Sequence, residues 1–272
     1  MIWVNGEARD TIEARDRAVQ FGDGCFTTAR VQQGRVQRLA AHLQRLQQGC
    51  ERLRISGVDW MALEAEIIQA TVSCDDGVLK AILTRGSGGR GYSAQGCQKP
   101  GRIISLSAYP AHYHQLRQKG ARLVLSSVRL GKNPQLAGIK HLNRLEQVLI
   151  RTELEQTGAD EALVLDSDAM LVECCAANLF WRVGKQVFTP DLSSSGVNGI
   201  QRQRVMKRVV QLGYTLSEVR AGIDVLAAAE EVLITNALMP VLPVYQAECW
   251  HYASRQLFNL LNPIVNDVEN DD

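Results

Sequence analysis

Lys140 and Glu173 are the two residues whose surroundings mark them for chemistry. Lys140 stands in "AGIKHLNRLEQ", just after Gly138 and Ile139 and at the head of an apolar run with helical spacing. A lysine drawn into such a run can lose its proton near neutral pH, and the free amine is a nucleophile able to form a Schiff base. Glu173 stands in "MLVECCAANLF", flanked by Leu171, Val172 and small or apolar residues. A carboxylate buried there must find a partner or take up a proton. A neighbouring arginine would serve. So would a protonated pyridine nitrogen, which pyridoxal phosphate needs if its ring is to store electrons.

A phosphate group needs a cradle, and three stretches offer donors. "SSSGVNGIQRQRV" passes from loop to helix at Gly199 and Ile200, where backbone N–H groups at a helix start bind anions. "TNAL" follows the strand "EVLI" and adds Thr235 and Asn236. Arg45, on the second stripe of an early helix, adds a charge-assisted contact. Each has a plainer role as well: Lys140 as a solvated helix cap, Gly199 as a turn, Thr235 as a cap. Other patterns lead nowhere. Gly86, Gly88 and Gly91 in "RGSGGRGY" fit G-x-G-x-x-G, but two more glycines and a proline follow where a dinucleotide site needs a helix. That loop is either a mobile surface hairpin or a lining of the site through Arg85, Arg90 and Tyr92. His112 and His114 form an H-x-H pair without an evident third ligand, so no metal is expected. No G-x-S-x-G elbow supports serine hydrolase chemistry.

The elements that must position these residues follow from periodicity. "MIWVNGEAR" reads as strand and turn, and "CFTTARVQQGRVQRL" as a hairpin around "QQG". Leu39, Leu43, Leu46, Cys50 and Leu53 make one face of a helix, with His42, Arg45 and Gly49 on the neighbouring stripe. "MALEAEIIQATVS" predicts a second helix, and "GVLKAILTR" and "RIISLSAYP" predict strands. Pro110 and a polar run then predict a linker over 109–119. Beyond it come the strand "ARLVLSSVRL", a helix carrying Lys140, one long strand "EALVLDSDAMLVECCAANLFWRV" and the strand "QVFTPDL". The helix "GIQRQRVMKRVVQLG" stopped by Gly213, the strand "EVLITNAL" and the closing helix "ASRQLFNLLNPIV" complete the chain. The expectation is an α/β (α+β) chain in two domains: a smaller one over 1–108 and a larger one over 120–272 that carries Lys140.

Composition narrows the function classes. The 272 residues carry a formal net charge of +1, which leaves no footprint for nucleic acid or an anionic membrane. No stretch approaches the roughly 18 apolar residues of a membrane span. "MIWVNGEARD" turns polar too early for a signal peptide. Seven cysteines, with no C-x-x-C, predict a reducing cytoplasm rather than a disulfide framework. The acidic tail "NDVENDD" reads as a frayed end.

Taken in order, Arg45 in "HLQRL", Lys140, Glu173 in "VECCAANLF", "NGIQR" and "TNA" resemble the fold-type IV pyridoxal phosphate enzymes. "DRAVQFGDGCFTTARV" belongs to the same pattern. The family includes branched-chain and D-amino acid aminotransferases and aminodeoxychorismate lyases. "QFGDGCFTTAR", "RGSGGRGYS", "LGKNPQLAGIKHLNRLEQVLIR" and "DEALVLD" are similar to the lyase branch, which turns 4-amino-4-deoxychorismate into 4-aminobenzoate and pyruvate in folate synthesis. Gln201 stands where the transaminases usually have Thr, and Thr235-Asn236 where they tend to have Gly-Thr. The resemblance implies a homodimer of two-domain chains with the cofactor at the domain interface. It implies that Lys140 carries the cofactor, that Glu173 holds the pyridine nitrogen, and that Arg45, Gly199, Ile200, Gln201, Thr235 and Asn236 surround the phosphate. Asn143, one helical turn from Lys140, is placed by spacing near the cofactor's 3′ oxygen. Thr28 in "FTTAR" is the candidate proton donor, and Arg30, Arg90 and Tyr92 are candidates for the substrate carboxylates. The alternatives are a transaminase on the same fold, a protein that holds pyridoxal phosphate without turnover, and a cofactor-free interaction protein.

Overall fold

The computed structural model describes residues 1–97 and 99–266, so the acidic tail beyond Asn266 lies outside the described residues. The chain forms two compact units. The first takes Met1–Tyr109 and returns for Ile139–Asn143; the second takes Pro110–Gly138 and the chain from Arg144 onward.

The first unit runs β1 (Ile2–Val4), β2 (Glu7–Ala8), α1 (Arg17–Phe21), β3 (Gly24–Gln32), β4 (Arg35–Val36), α2 (Leu39–Arg52), α3 (Trp60–Thr71), β5 (Asp76–Thr84) and β6 (Gly101–Ala108). Its six strands form one sheet in the order β2-β1-β6-β5-β3-β4. Period-two alternation along β3 sends Cys25, Thr27, Ala29 and Val31 to one face, all buried, and Phe26, Thr28 and Arg30 to the other. The first face packs with Leu79, Ala81, Leu83 and Ile104 against Leu46 and Cys50 of α2 and Leu63 and Ile67 of α3. The apolar face expected for α2 is the one that enters this core. Leu46, Leu63 and Ile67 are almost wholly buried, and each contributes about 1.5–3 kcal/mol by leaving water. The second face of the sheet is left for chemistry.

The second unit runs α4 (His112–Lys119), β7 (Ala121–Leu130), α5 (Leu145–Leu154), β8 (Glu161–Asp166), β9 (Leu171–Cys174), β10 (Asn178–Val183), β11 (Gln186–Pro190), α6 (Ile200–Gln211) and β12 (Thr215–Val219). A short 3-10 turn at Ile223–Ala228 leads into β13 (Glu231–Thr235), β14 (Leu242–Ala247), β15 (Trp250–His251) and α7 (Gln256–Asn266). The strands order as β12-β11-β10-β13-β14-β7-β8-β9, with β15 beside β14. Leu163, Leu179, Val232 and Leu242 face one core, while Phe180, Val187 and Leu233 pack against Val205 and Val209 of α6 and Leu257 and Leu261 of α7.

Four expectations change. Lys140 does not open a helix. Its carbonyl accepts the Phe26 N–H at 2.9 Å, and the Leu142 N–H reaches the Gly24 carbonyl at 3.0 Å, so β3 takes the backbone groups that a helix would have used. The helix begins only at Leu145. For the same reason the Lys140 segment belongs to the first unit and not to the second. The stretch 109–119 is not a bare linker: α4 follows Pro110, which lies ahead of the helix where its missing N–H costs nothing, and Leu116 buries in the second unit's core. On that helix His112 and His114 are two residues apart and face different ways. The long strand expected from Glu161 to Val183 is three strands. The Asp166 carboxylate accepts the N–H groups of Asp168 and Met170, and Ala169 takes a positive φ of 60°, which turns the chain back.

Candidate active site

In the first unit the open face of β3 and β5 gathers the polar groups. Phe26 is the centre of the group. The Lys140 Nζ lies 4.7 Å from its ring centroid, and the Lys80 Nζ lies 4.9 Å from the same ring. Thr28 stands directly across from Lys80 in the β3–β5 register. Lys140 is half-buried and Lys80 exposed, so the face offers one sheltered amine, one hydroxyl and one solvated cation. Sequence reasoning passed over Lys80. Its signal was there: in "GVLKAIL" the lysine takes an alternate position between Val78 and Ile82 in an otherwise apolar strand.

Arg45 lies on α2, whose other face is core. Burial pushes its guanidinium down to about 10, and no carboxylate among the described residues acts on it. A desolvated cation of that kind is a ready anion site. His42, one turn earlier, is 4% exposed and shares a 2.5 Å hydrogen bond between its Nδ1 and the Thr27 Oγ1. Burial first, then the Arg45 and Arg38 charges, push the imidazole down to about 3. His42 is therefore neutral at physiological pH and adds no third positive charge beside the two guanidiniums.

Two further candidates in this unit also make structural contacts. Arg30 pairs with Asp76 and stacks on the Tyr109 ring, and its Nη1 is a buried donor with no hydrogen-bond partner among the described residues. The Asn143 Nδ2 donates to the Gly22 carbonyl at 3.1 Å and so ties the segment to the end of α1. Arg90 and Tyr92 sit in the loop between β5 and β6, both exposed, Tyr92 at 90%.

In the second unit Glu173 is buried on β9, and its Oε2 accepts the Val197 N–H at 2.8 Å. The half-buried Arg144 guanidinium feels the Glu173 charge. The loop before α6 is fitted tightly around this carboxylate. Gly196 has a φ of 82°, and a Cβ there would meet Val172 at 2.6 Å. The Asn178 Nδ2 donates to the Val197 carbonyl at 2.9 Å, and a Cβ on Gly199 would lie 2.2 Å from the Asn178 Oδ1. Gly199 precedes α6 without a side-chain cap, so the first N–H groups of the helix, at Ile200 and Gln201, face outward from its positive end. The Gln201 side chain is buried, and its Nε2 donor has no hydrogen-bond partner among the described residues.

Thr235 and Asn236 also have structural partners. The Thr235 hydroxyl donates to the Pro240 carbonyl. The Asn236 Oδ1 accepts the Leu238 and Met239 N–H groups, each at 2.9 Å, and its Nδ2 donates to the Ala176 carbonyl at 2.9 Å. Both side chains fold their own turn and brace the one after Glu173. Below that turn the fully buried Glu161 accepts the N–H groups of Ala162 and Ala176 at 2.9 and 3.1 Å. Burial pushes its carboxyl up to about 7.

The fold-type IV, aminotransferase-like class is what this arrangement defines. The chain belongs to the amino-transferase class IV family, whose description matches residues 24–247. Among particular proteins, it is 37% identical over 244 residues to the aminodeoxychorismate lyase of Vibrio harveyi, covering 90% of each chain. The crystal structure of 4-amino-4-deoxychorismate lyase from Pseudomonas aeruginosa superposes with a TM-score of 0.93 at 36% identity, over 99% of this chain and 100% of that one. The branched-chain aminotransferase of Escherichia coli shares the fold at 22% identity and a TM-score of 0.86, over 100% of this chain and 96% of that one.

Proposed function

We propose that this chain cleaves 4-amino-4-deoxychorismate to 4-aminobenzoate and pyruvate with pyridoxal 5′-phosphate as cofactor. What carries the proposal is the group on the open face of β3 and β5, where Lys140 and Lys80 flank Phe26 and Thr28 faces Lys80. The likeness to two lyases along nearly the whole chain supports it. The residues present fit the cofactor: Glu173 suits a ring N–H, Arg45 is a half-buried cation on which no carboxylate acts among the described residues, and Gln201 holds a buried donor to spare.

When bound, pyridoxal phosphate supplies an electron sink for the pair released from a C–H bond next to the amine. The protein does the rest. Lys140 holds the cofactor and then, as a free amine, takes the proton from the amine-bearing ring carbon of the substrate. Glu173 keeps the pyridine nitrogen protonated, and the Val197 N–H keeps Glu173 aimed. Arg45 and the N–H groups of Ile200 and Gln201 hold the phosphate. The substrate's C–O bond to the three-carbon side chain breaks as its ring becomes aromatic. The methylene carbon of that side chain gains a proton from Lys140 or the Thr28 hydroxyl and leaves as pyruvate. Atoms balance without water, oxidant or amino acceptor. Two carboxylates on the substrate call for cations, and Lys80 and Arg90 are assigned to them, with Tyr92 beside Arg90.

The protein is proposed to work as a cytoplasmic homodimer. Leu145, Val148 and Leu149 leave one apolar stripe of α5 exposed, which suits a second copy. Seven cysteines without a C-x-x-C spacing suit a reducing compartment. The test is to add 4-amino-4-deoxychorismate to the cofactor-loaded protein without any keto acid. Release of 4-aminobenzoate and pyruvate in equal amounts, lost in Lys140→Ala, supports the lyase. Turnover that begins only when 2-oxoglutarate is added would make the protein a transaminase.

A further inference from the structure

The loop between β5 and β6 carries four glycines in "RGSGGRG" yet is not held loosely. Its anchor comes from far away in sequence. Arg17, at the start of α1, is 4% exposed, and its guanidinium is wholly engaged. Nε donates to the Asp23 Oδ2 at 2.8 Å. One Nη donates to the carbonyls of Gly91 and Ser93 at 2.9 and 3.2 Å, and the other to the carbonyl of Tyr92 at 3.3 Å. Its plane lies over the Phe21 ring at 4.8 Å, and that ring meets the Tyr92 ring at 5.5 Å. Three successive carbonyls on one buried guanidinium fix the backbone on which Tyr92 stands. The Tyr92 side chain itself is left 90% exposed, and Arg90 points outward from the same turn, closed by the Ser93 N–H on the Arg90 carbonyl.

The base of the loop is fixed by the same residues. Asp23 joins Arg17 to Arg85, which reaches it at 2.7 and 3.0 Å. Burial alone would push the Asp23 carboxyl up, but hydrogen bonds from Arg85 and Arg17 hold it below the usual range. The Arg17 N–H donates to the Gly86 carbonyl, and Asp16 accepts the Thr84 hydroxyl. Gly89 is obligatory, since a Cβ there would lie 2.1 Å from the Ser93 carbonyl and 3.2 Å from the Arg17 Nη. A loop so held carries its outward side chains at little further ordering cost when they meet a ligand.

We infer that Arg17 is a positioning residue for the substrate: it clamps the Gly91–Ser93 backbone so that Arg90 and Tyr92 are presented preorganised to the carboxylates. This rests on the assignment of Arg90 and Tyr92 to substrate made above. Arginine is required because only its planar fork spans three carbonyls and a carboxylate at once; a lysine reaches one or two.

The test compares Arg17→Met, Arg17→Lys and Arg90→Ala in two measurements. In the cofactor-free protein, amide hydrogen exchange at Gly91–Ser93 is expected to speed up in both Arg17 variants and to stay unchanged in Arg90→Ala. In the loaded enzyme, Arg17→Met is expected to raise KM for 4-amino-4-deoxychorismate about tenfold or more, with kcat held within about threefold, as Arg90→Ala does by removing the contact itself. Arg17→Lys falls between, and it supplies the comparison should Arg17→Met fail to fold. Unchanged exchange and unchanged KM in the Arg17 variants, with Arg90→Ala impaired, overturn the clamp alone. An unchanged KM in Arg90→Ala overturns the assignment of the loop to substrate, and this inference with it.

Discussion

Acidification should destabilise the first unit through His42. The imidazole is buried under α2 against Thr27, and burial with the Arg45 and Arg38 charges pushes it down to about 3 from an ordinary 6.5. A group whose folded pKa is depressed contributes stability that is present above its unfolded pKa and lost as pH falls through the folded one. The window is therefore about pH 6.5 down to about pH 3. Each unit of gap is worth about 1.4 kcal/mol, so moving from pH 7 to pH 4.5 removes about 3 kcal/mol, and the full gap about 5 kcal/mol. His42→Gln keeps a polar group beside Thr27 but cannot take up the proton. Urea unfolding of both proteins across this range, followed by tryptophan fluorescence, gives the comparison; Trp3 and Trp60 pack on the core that His42 borders. The variant should lose about 3 kcal/mol less than the parent by pH 4.5. Other groups titrate equally in both proteins, so the difference isolates the imidazole. Parallel losses would refute a buried, neutral His42 and with it the account of how two guanidiniums are kept beside it.

Glu161 gives the opposite slope. Its folded pKa is raised from 4.5 to about 7, so its contribution is present below about pH 4.5 and is lost as pH rises through about 7. Between those limits the parent should lose about 3 kcal/mol that Glu161→Gln does not, read from the pH dependence of the two denaturation midpoints. Gly199→Ala places a Cβ 2.2 Å from the Asn178 Oδ1 and must shift the loop before α6; titration of cofactor-free protein with pyridoxal phosphate should show affinity lowered about tenfold or more. Leu63→Ala opens a cavity between α3 and the first sheet and should cost about 2–5 kcal/mol, measured by chemical denaturation, with catalysis by the folded fraction unchanged.

Periodicity located the elements whose apolar face is one-sided. α2 was legible because Leu39, Leu43, Leu46, Cys50 and Leu53 bury on one side only. It failed where backbone pairing decides. The run after Gly138 has helical spacing, but β3 takes the Lys140 and Leu142 backbone groups, and no side-chain pattern records that. The Glu161–Val183 run is almost continuously apolar, and its two reversals are encoded by Asp166 and Glu161, carboxylates that serve backbone N–H groups. β12 and β14 gave no warning: "TLSEV" is short and half polar, and "LPVYQA" carries Pro243 inside a strand. Among the site candidates, Lys140, Glu173 and Arg45 were singled out by residue type and surroundings, and their roles are proposals. Contacts of side chains with distant or local backbone were not legible. Thr235 and Asn236 read as ligand donors, and their side chains also build a turn that no pattern announced. Arg17 lay within a recognised stretch, but its three carbonyl partners are more than seventy residues away in sequence.

These contacts change which residues separate lyase from transaminase. Thr235 and Asn236 stand where the transaminases tend to have Gly-Thr, and their side chains also hold their own turn. Gln201 keeps its weight, because its Nε2 is a buried donor without a partner among the described residues. The stronger discriminator is the face formed by Thr28, Lys80 and Lys140. A transaminase must return the proton to carbon or cofactor and then admit a keto acid. The lyase must instead protonate a departing methylene carbon, which calls for a second proton donor near the lysine. Thr28 and Lys80 stand opposite each other on adjacent strands, where Cβ atoms lie about 5 Å apart. Thr28→Val keeps the shape of the strand and deletes the hydroxyl. If Thr28 supplies that proton, the variant should lower kcat at least about tenfold while leaving the cofactor's absorbance and the KM nearly unchanged. An undiminished kcat would leave Lys140 to carry both proton transfers alone.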